Sequence, residues 1–212
     1  MKLWLVIAAG VGLSTQAVAE ALKSVTPRGN PARWVLAEDL AGIGAPKGVT
    51  GFDLTIARSG APVSCQITTA SASRELDRRV CAALLQRARF GAARDASGSS
   101  VPGVWSDRVV WEPQGAGENY YKKPPPNLVL GSAAIGPGGR EERVDLVGVV
   151  GPDGTLESCE IFKAPKRSLA AAEACPAISA TKRIKVIRDE NGMPTRGIRS
   201  ITVLFVPEGE KQ

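Results

Sequence analysis

One stretch of sequence occurs twice in this chain, and the repeat sets the unit that has to fold. Gly60-Ala61-Pro62-Val63-Ser64-Cys65-Gln66-Ile67 returns 94 positions later as Gly154-Thr155-Leu156-Glu157-Ser158-Cys159-Glu160-Ile161. Fifteen residues separate Cys65 from Cys81, and the later copy keeps that interval between Cys159 and Cys175. The same shift pairs Arg94-Asp95 with Arg188-Asp189, Gly98 with Gly192, Gly103 with Gly197, Ser106 with Ser200 and Pro113 with Pro207. Laid without a gap from Pro31–Pro113 onto Pro125–Pro207, 20 of 83 positions are identical, both cysteines among them. That unit is longer than the ~20–50 residues of a solenoid repeat and has the size of a small domain.

The ends and the middle of the chain read differently. Residues 1–19 have the form of a secretory signal: Lys2, an apolar run from Leu3 to Leu13, and the small-residue site Ala17-Val18-Ala19. The apolar run is shorter than the ~20 residues of a bilayer span, so cleavage before Glu20 is expected, with an uncleaved inner-membrane anchor as the alternative. Residues 20–30 form a polar lead expected to be flexible. Residues 31–113 are the first unit and 125–207 the second, joined by a linker at 114–124 that leads into Pro124-Pro125-Pro126, with a tail at 208–212.

Export implies an oxidising compartment, where two equally spaced cysteine pairs read as disulfides. Four cysteines allow three connectivities, and the repeat selects Cys65–Cys81 and Cys159–Cys175. Zinc would want close Cys-x-x-Cys or histidine partners, and the chain has no histidine; no metal is expected. Lys2 is the only charge in the signal, so 26 Lys+Arg face 21 Asp+Glu after it, an excess of +3 over residues 20–113 and +2 over 114–212. Neither half is basic enough, or rich enough in interleaved aromatics, to suggest nucleic acid. The densest basic run, Lys182 to Arg188, suits a solvated strand edge or helix end.

Within each unit the periodicities follow one order. Phe52, Leu54 and Ile56 alternate with Asp53 and Thr55, as in a half-buried strand. Ser59-Gly60, or Gly151-Pro152-Asp153-Gly154 in the second copy, is a turn. Val63, Cys65 and Ile67 then share a face of a second strand. Leu76, Val80, Leu84 and Ala88 mark an amphipathic helix over Glu75–Ala88, with Ser73 as N-cap. Third strands follow at Val104–Trp111 and Ile198–Val206. The expected fold class is α+β: two tandem units, each a three-stranded antiparallel sheet with one helix packed on a face and stapled to it by a disulfide.

Several of these residues resemble the C-terminal domain of TonB-type proteins, the periplasmic ends of energy transducers. They are Lys47-Gly48-Val49 leading into Phe52-Asp53-Leu54-Thr55-Ile56, the Ser59-Gly60 turn, Leu76-Asp77, Arg87-Ala88-Arg89-Phe90 and the strand from Gly98 to Trp111. The cysteine pair and Gly29-Asn30-Pro31-Ala32-Arg33-Trp34-Val35 resemble a disulfide-containing branch of that family. The second unit joins the likeness through the repeat, with Pro152-Asp153-Gly154 the clearest direct match. The resemblance implies a periplasmic protein that takes a protein or peptide strand, the N-terminal box of an outer-membrane receptor, onto a sheet edge. The family's Tyr-Pro is replaced here by residues around Asp39-Leu40. Glu20 to Asn30 extends only ~36–40 Å, which implies a soluble relative and not a complete transducer.

An enzyme finds little support: without histidine, serine or cysteine nucleophiles lack their usual base. Gly136-Pro137-Gly138-Gly139-Arg140 lacks the ending of a phosphate loop. No cofactor and no small-molecule substrate are expected. A binding module is the better reading, because an open sheet edge pairs with added strands. The candidate edges are Val104, Trp105, Ser106, Asp107, Arg108, Val109 and Trp111 in the first unit, and Ile198, Ser200, Thr202, Val203 and Phe205 in the second. The alternative is an intramolecular pseudo-dimer, in which the two third strands pair with each other and the protein has a structural or regulatory role.

Overall fold

The computed structural model describes residues 21–43, 48–111, 125–181 and 184–208. The signal segment, the linker at 114–124 and most of the tail lie outside them. The described residues are mixed α+β, with two α-helices and a majority of strands. In the first copy, Gly48–Ile56 (β1) and Pro62–Thr69 (β2) form an antiparallel hairpin. Gly60 makes its turn at φ +86°, where a Cβ would lie 2.3 Å from the Phe90 carbonyl oxygen; only glycine fits. Arg74–Arg87 (α1) follows, capped by the Ser73 hydroxyl, which accepts from the Leu76 N–H at 3.3 Å. Gly103–Trp111 (β3) closes the copy.

The second copy opens with Leu128–Ser132 (β4). Glu142–Val150 (β5), Leu156–Lys163 (β6), Ala171–Thr181 (α2) and Gly197–Pro207 (β7) then repeat hairpin, helix and strand. The disulfides join Cys65 to Cys81 and Cys159 to Cys175, each from the second strand of its hairpin to the helix.

The expectation of two separate three-stranded sheets is corrected by the strand order. One seven-stranded sheet runs β6-β5-β7-β3-β1-β2, with β4 also paired to β7. The join is a parallel contact between the two third strands, Ile198 opposite Gly103 and Arg199 opposite Val104. Glycines make it possible. A Cβ on Gly197 would lie 2.5 Å from the Pro102 carbonyl oxygen, and one on Gly103 would lie 2.7 Å from Val25 Cγ1. With neither side chain present, the Ile198 N–H reaches the Pro102 carbonyl at 2.9 Å.

Parallel third strands put the two helices on opposite faces of the sheet. Leu76, Val80 and Leu84 of α1 pack on Phe52, Leu54 and Ile56, and the same core takes Val147, Val149 and Ile198 from the far side of the second copy. Ala174 and Ile178 of α2 pack on Leu146, Ile201, Val203 and Phe205, and take Val104 from the first copy. Each core therefore draws on both halves of the chain.

The lead is not the flexible segment expected from its polarity. Leu22 and Val25 are buried in the first core. Lys23 bridges to Arg94, and Thr26–Pro27 pairs with Phe90–Gly91. The Leu22 N–H donates to the Glu160 carboxylate at 3.0 Å, and Ser24 Oγ lies 3.0 Å from Ser200 Oγ. The physical reason is the helix-free face of β5 and β7: Val147, Val149 and Ile198 need an apolar cover, and two residues of the lead help supply it.

Candidate functional site

The two third strands, offered by the sequence as equivalent edges, differ in the structure. β7 is internal. It pairs with β5 from Gly197 to Phe205, and on its other side with β3 at Ile198–Arg199 and with β4 at Val203–Pro207. Between those two contacts the Thr202 N–H donates to Asn127 Oδ1 at 2.7 Å. Ile198, Val203 and Phe205 are fully buried, Ser200 meets Ser24, and the Thr202 hydroxyl donates to Asp145 at 2.6 Å. None of these residues offers an edge, because β4 takes the place an added strand would occupy.

Among the described residues, β3 is open over most of one side. It pairs with β1 along its whole length, from Gly103 opposite Ile56 to Trp111 opposite Gly48. Towards β7 only Gly103 and Val104 are paired. Because Pro102 accepts from Ile198, the backbone groups of even-numbered residues on β3 point to that side. Ser106, Arg108 and Val110 thus turn N–H and C=O groups to the gap. One of these donors is covered locally: the Arg108 N–H donates to the carboxylate of its neighbour Asp107 at 2.8 Å. Trp105 serves packing, within 5.3–5.7 Å of Phe52, Phe90 and Trp34 ring to ring. Val104 is buried in the second core, and Val109 packs half-buried against the first. The segment of the first copy equivalent to β4 is residues 34–38. It folds instead around two short 3-10 turns, Pro31–Arg33 and Ala37–Leu40, with Trp34 turned into the aromatic cluster.

Beside this edge lies a cleft of about 570 Å³, bounded by β1 and β3, by Pro125–Leu128, and by Ile184, Lys185 and Arg199. At its base is a polar cluster built from both copies, with Asp53 and Arg199 buried and Ser106 and Lys185 reaching the surface. Asp53 Oδ2 lies 3.1 Å from Arg199 Nη1 and 2.9 Å from Lys185 Nζ. The Ser106 hydroxyl donates to Asp53 Oδ1 at 2.6 Å. Burial alone would raise the Asp53 carboxyl, but the Arg199 charge, the Ser106 hydrogen bond and Lys185 outweigh it and hold the group below its ordinary value. Among the described residues no three Cys, Asp or Glu side chains converge as metal ligands. The cleft therefore offers charge, hydrogen bonds and apolar walls.

The chain matches no protein-family model, no curated protein and no solved structure.

Of this cluster the sequence points to Ser106 as an edge residue, and not to Asp53, Lys185 or Arg199 as site residues. A signal was present. Arg199 shares the odd register of β7 with Ile201, Val203 and Phe205, and it replaces the aromatic Trp105 of the first copy. A cation in an apolar register at a position where the repeat breaks is a candidate buried charge. The described cations of the basic run, Lys185 and Arg188, are exposed as expected, while Ile184 and Ile187 beside them are buried and Lys185 also reaches Asp53. The second strands of the hairpins, β2 and β6, are present as expected but lie outermost, an edge position the sequence did not single out, and β6 carries the exposed Ile161 and Phe162.

Proposed function

We propose that this protein is a non-catalytic binding module of the TonB C-terminal type, in fused tandem, which takes a partner's extended segment onto the open side of β3. The observation that carries the reading is the contrast between the third strands. On β7 the slot beside the strand is filled, in parallel, by the chain's own β4; on β3 the equivalent slot is bounded by a cleft. β4 therefore serves as an internal example of the strand that such a slot accepts. The two disulfides are compatible with an oxidising compartment. No helix among the described residues is long and apolar enough to cross a membrane. Both fit a periplasmic module whose partner is the exposed segment of an outer-membrane receptor.

A second reading is a self-paired structural or regulatory protein. What favours it is the join itself: the third strands do pair, over Ile198–Arg199, and β7 has no side left to offer.

A peptide with the sequence Leu128–Ser132 separates the two. Binding to the full chain, weakened when alternate backbone nitrogens of the peptide are methylated, supports strand addition. Absence of binding, both by this peptide and by receptor segments, leaves the self-paired reading.

A further inference from the structure

The cleft beside β3 contains a feature that strand pairing does not use. Arg199 is 4% exposed, and among the described residues its guanidinium is engaged through Nη1, by Asp53. Its Nε is buried with no hydrogen-bond partner. A buried donor without a partner is costly, more so when it is charged. Nε and Nη2 form the side-on fork of the guanidinium, the pair of donors whose spacing matches the two oxygens of a carboxylate. Charge is also left over. Arg199, Lys185 and Arg108 line the cleft against Asp53 and Asp107, an excess of one positive charge. The remaining walls are largely apolar, with Val49, Leu128, Ile184 and Ile201 among them. The volume of about 570 Å³ falls in the ~300–1,000 Å³ range of small-ligand sites.

We propose that this cleft is a carboxylate-binding site, in which the Nε–Nη2 fork of Arg199, backed by Lys185, receives one carboxylate whose apolar remainder lies against Leu128, Ile184 and Ile201. Asp53 holds the guanidinium in place through Nη1, on the side away from the fork, and Nε has no partner among the described residues. The carboxylate can arrive as a short-chain organic acid or as an acidic side chain of a peptide lying along β3; both present the same group to Arg199. The site stands on the geometry of Arg199 and does not depend on strand addition.

The probe is hexanoate, with hexan-1-ol as its uncharged counterpart, added to the full chain with both disulfides formed. The readout is the Nε–H resonance of Arg199, assigned by its disappearance in Arg199→Lys. The expected result is a saturable shift with hexanoate and none with hexan-1-ol. Arg199→Lys keeps the charge and loses the fork, and is expected to weaken hexanoate about tenfold or more. If that variant does not fold, Lys185→Gln, at a half-exposed side chain, is expected to weaken it several-fold. A second arm compares the Leu128–Ser132 peptide extended by Glu with the same peptide extended by Gln. Tighter binding of the Glu form, with movement of the same Nε–H, identifies a peptide as the carrier; movement with hexanoate alone identifies a free acid. An Nε–H that neither probe moves, or equal binding of hexan-1-ol, overturns the proposal. Strand addition is read separately on the Ser106 and Val110 amides, so either idea can fail without the other.

Discussion

Asp53 and Arg199 show how one buried pair can both join and restrict two halves of a chain. Asp53 is the only carboxylate within reach of Arg199 Nη1 and Lys185 Nζ among the described contacts. Removing it strands the buried Arg199. Asp53→Asn is expected to destabilise the fold by about 3–5 kcal/mol at neutral pH, the usual cost of breaking a buried pair from one side. The pH dependence follows from the direction of the shift. The folded carboxyl lies below its ordinary value, so the stability it contributes is complete above the unfolded value of ~3.9 and is lost as pH falls through the lower folded one. Thermal unfolding of wild type and Asp53→Asn is therefore expected to differ widely at pH 7 and to converge in strong acid. A gap that stays constant down to pH 2 contradicts this assignment. Legibility was uneven here. The cysteine pairing was readable because the repeat chose among connectivities, whereas Asp53 looked like an ordinary outward residue of an alternating strand. Its burial depends on Arg199, 146 residues away, and no local pattern encodes that contact.

At the scale of elements, the hairpins, α1 and its Ser73 cap were readable because each is set by contacts within a few residues. The fate of the third strands was not, because it depends on which segment reaches them. Gly103 and Gly197 look like equivalent repeat positions, yet their role is to let β3 and β7 approach. Gly197→Ala would place a Cβ 2.5 Å from the Pro102 carbonyl oxygen. It is expected to cost about 1–3 kcal/mol by overpacking, measurable as a lower midpoint in denaturant with the slope unchanged. Asp107 has a different use: its carboxylate occupies the Arg108 N–H that an entering strand would need. Asp107→Ala is expected to speed exchange of the Arg108 amide and to tighten binding of the Leu128–Ser132 peptide several-fold, the weight of a hydrogen bond of about 1 kcal/mol. Unchanged affinity would mean that Asp107 does not guard this edge.

For the whole molecule, one continuous sheet and two cores that each draw on both copies imply a single cooperative unit. The tryptophans make this easy to follow, because Trp34, Trp105 and Trp111 all lie in the first copy. Replacing Cys159 and Cys175, in the second copy, with alanine removes a constraint of about 3 kcal/mol. Tryptophan fluorescence is expected to report that loss in full, as one shifted transition; an unshifted midpoint means the copies unfold independently. The difference between the copies matters most for function, since the same strand is closed in one and open in the other. Amide exchange along the two third strands tests this directly. Ser106 and Val110 on β3 are expected to exchange much faster than their counterparts Ser200 and Leu204 on β7, and to slow when the Leu128–Ser132 peptide is added. Equal protection of both strands in the free protein, or fast exchange on β3 that no peptide slows, would contradict an open, strand-accepting edge.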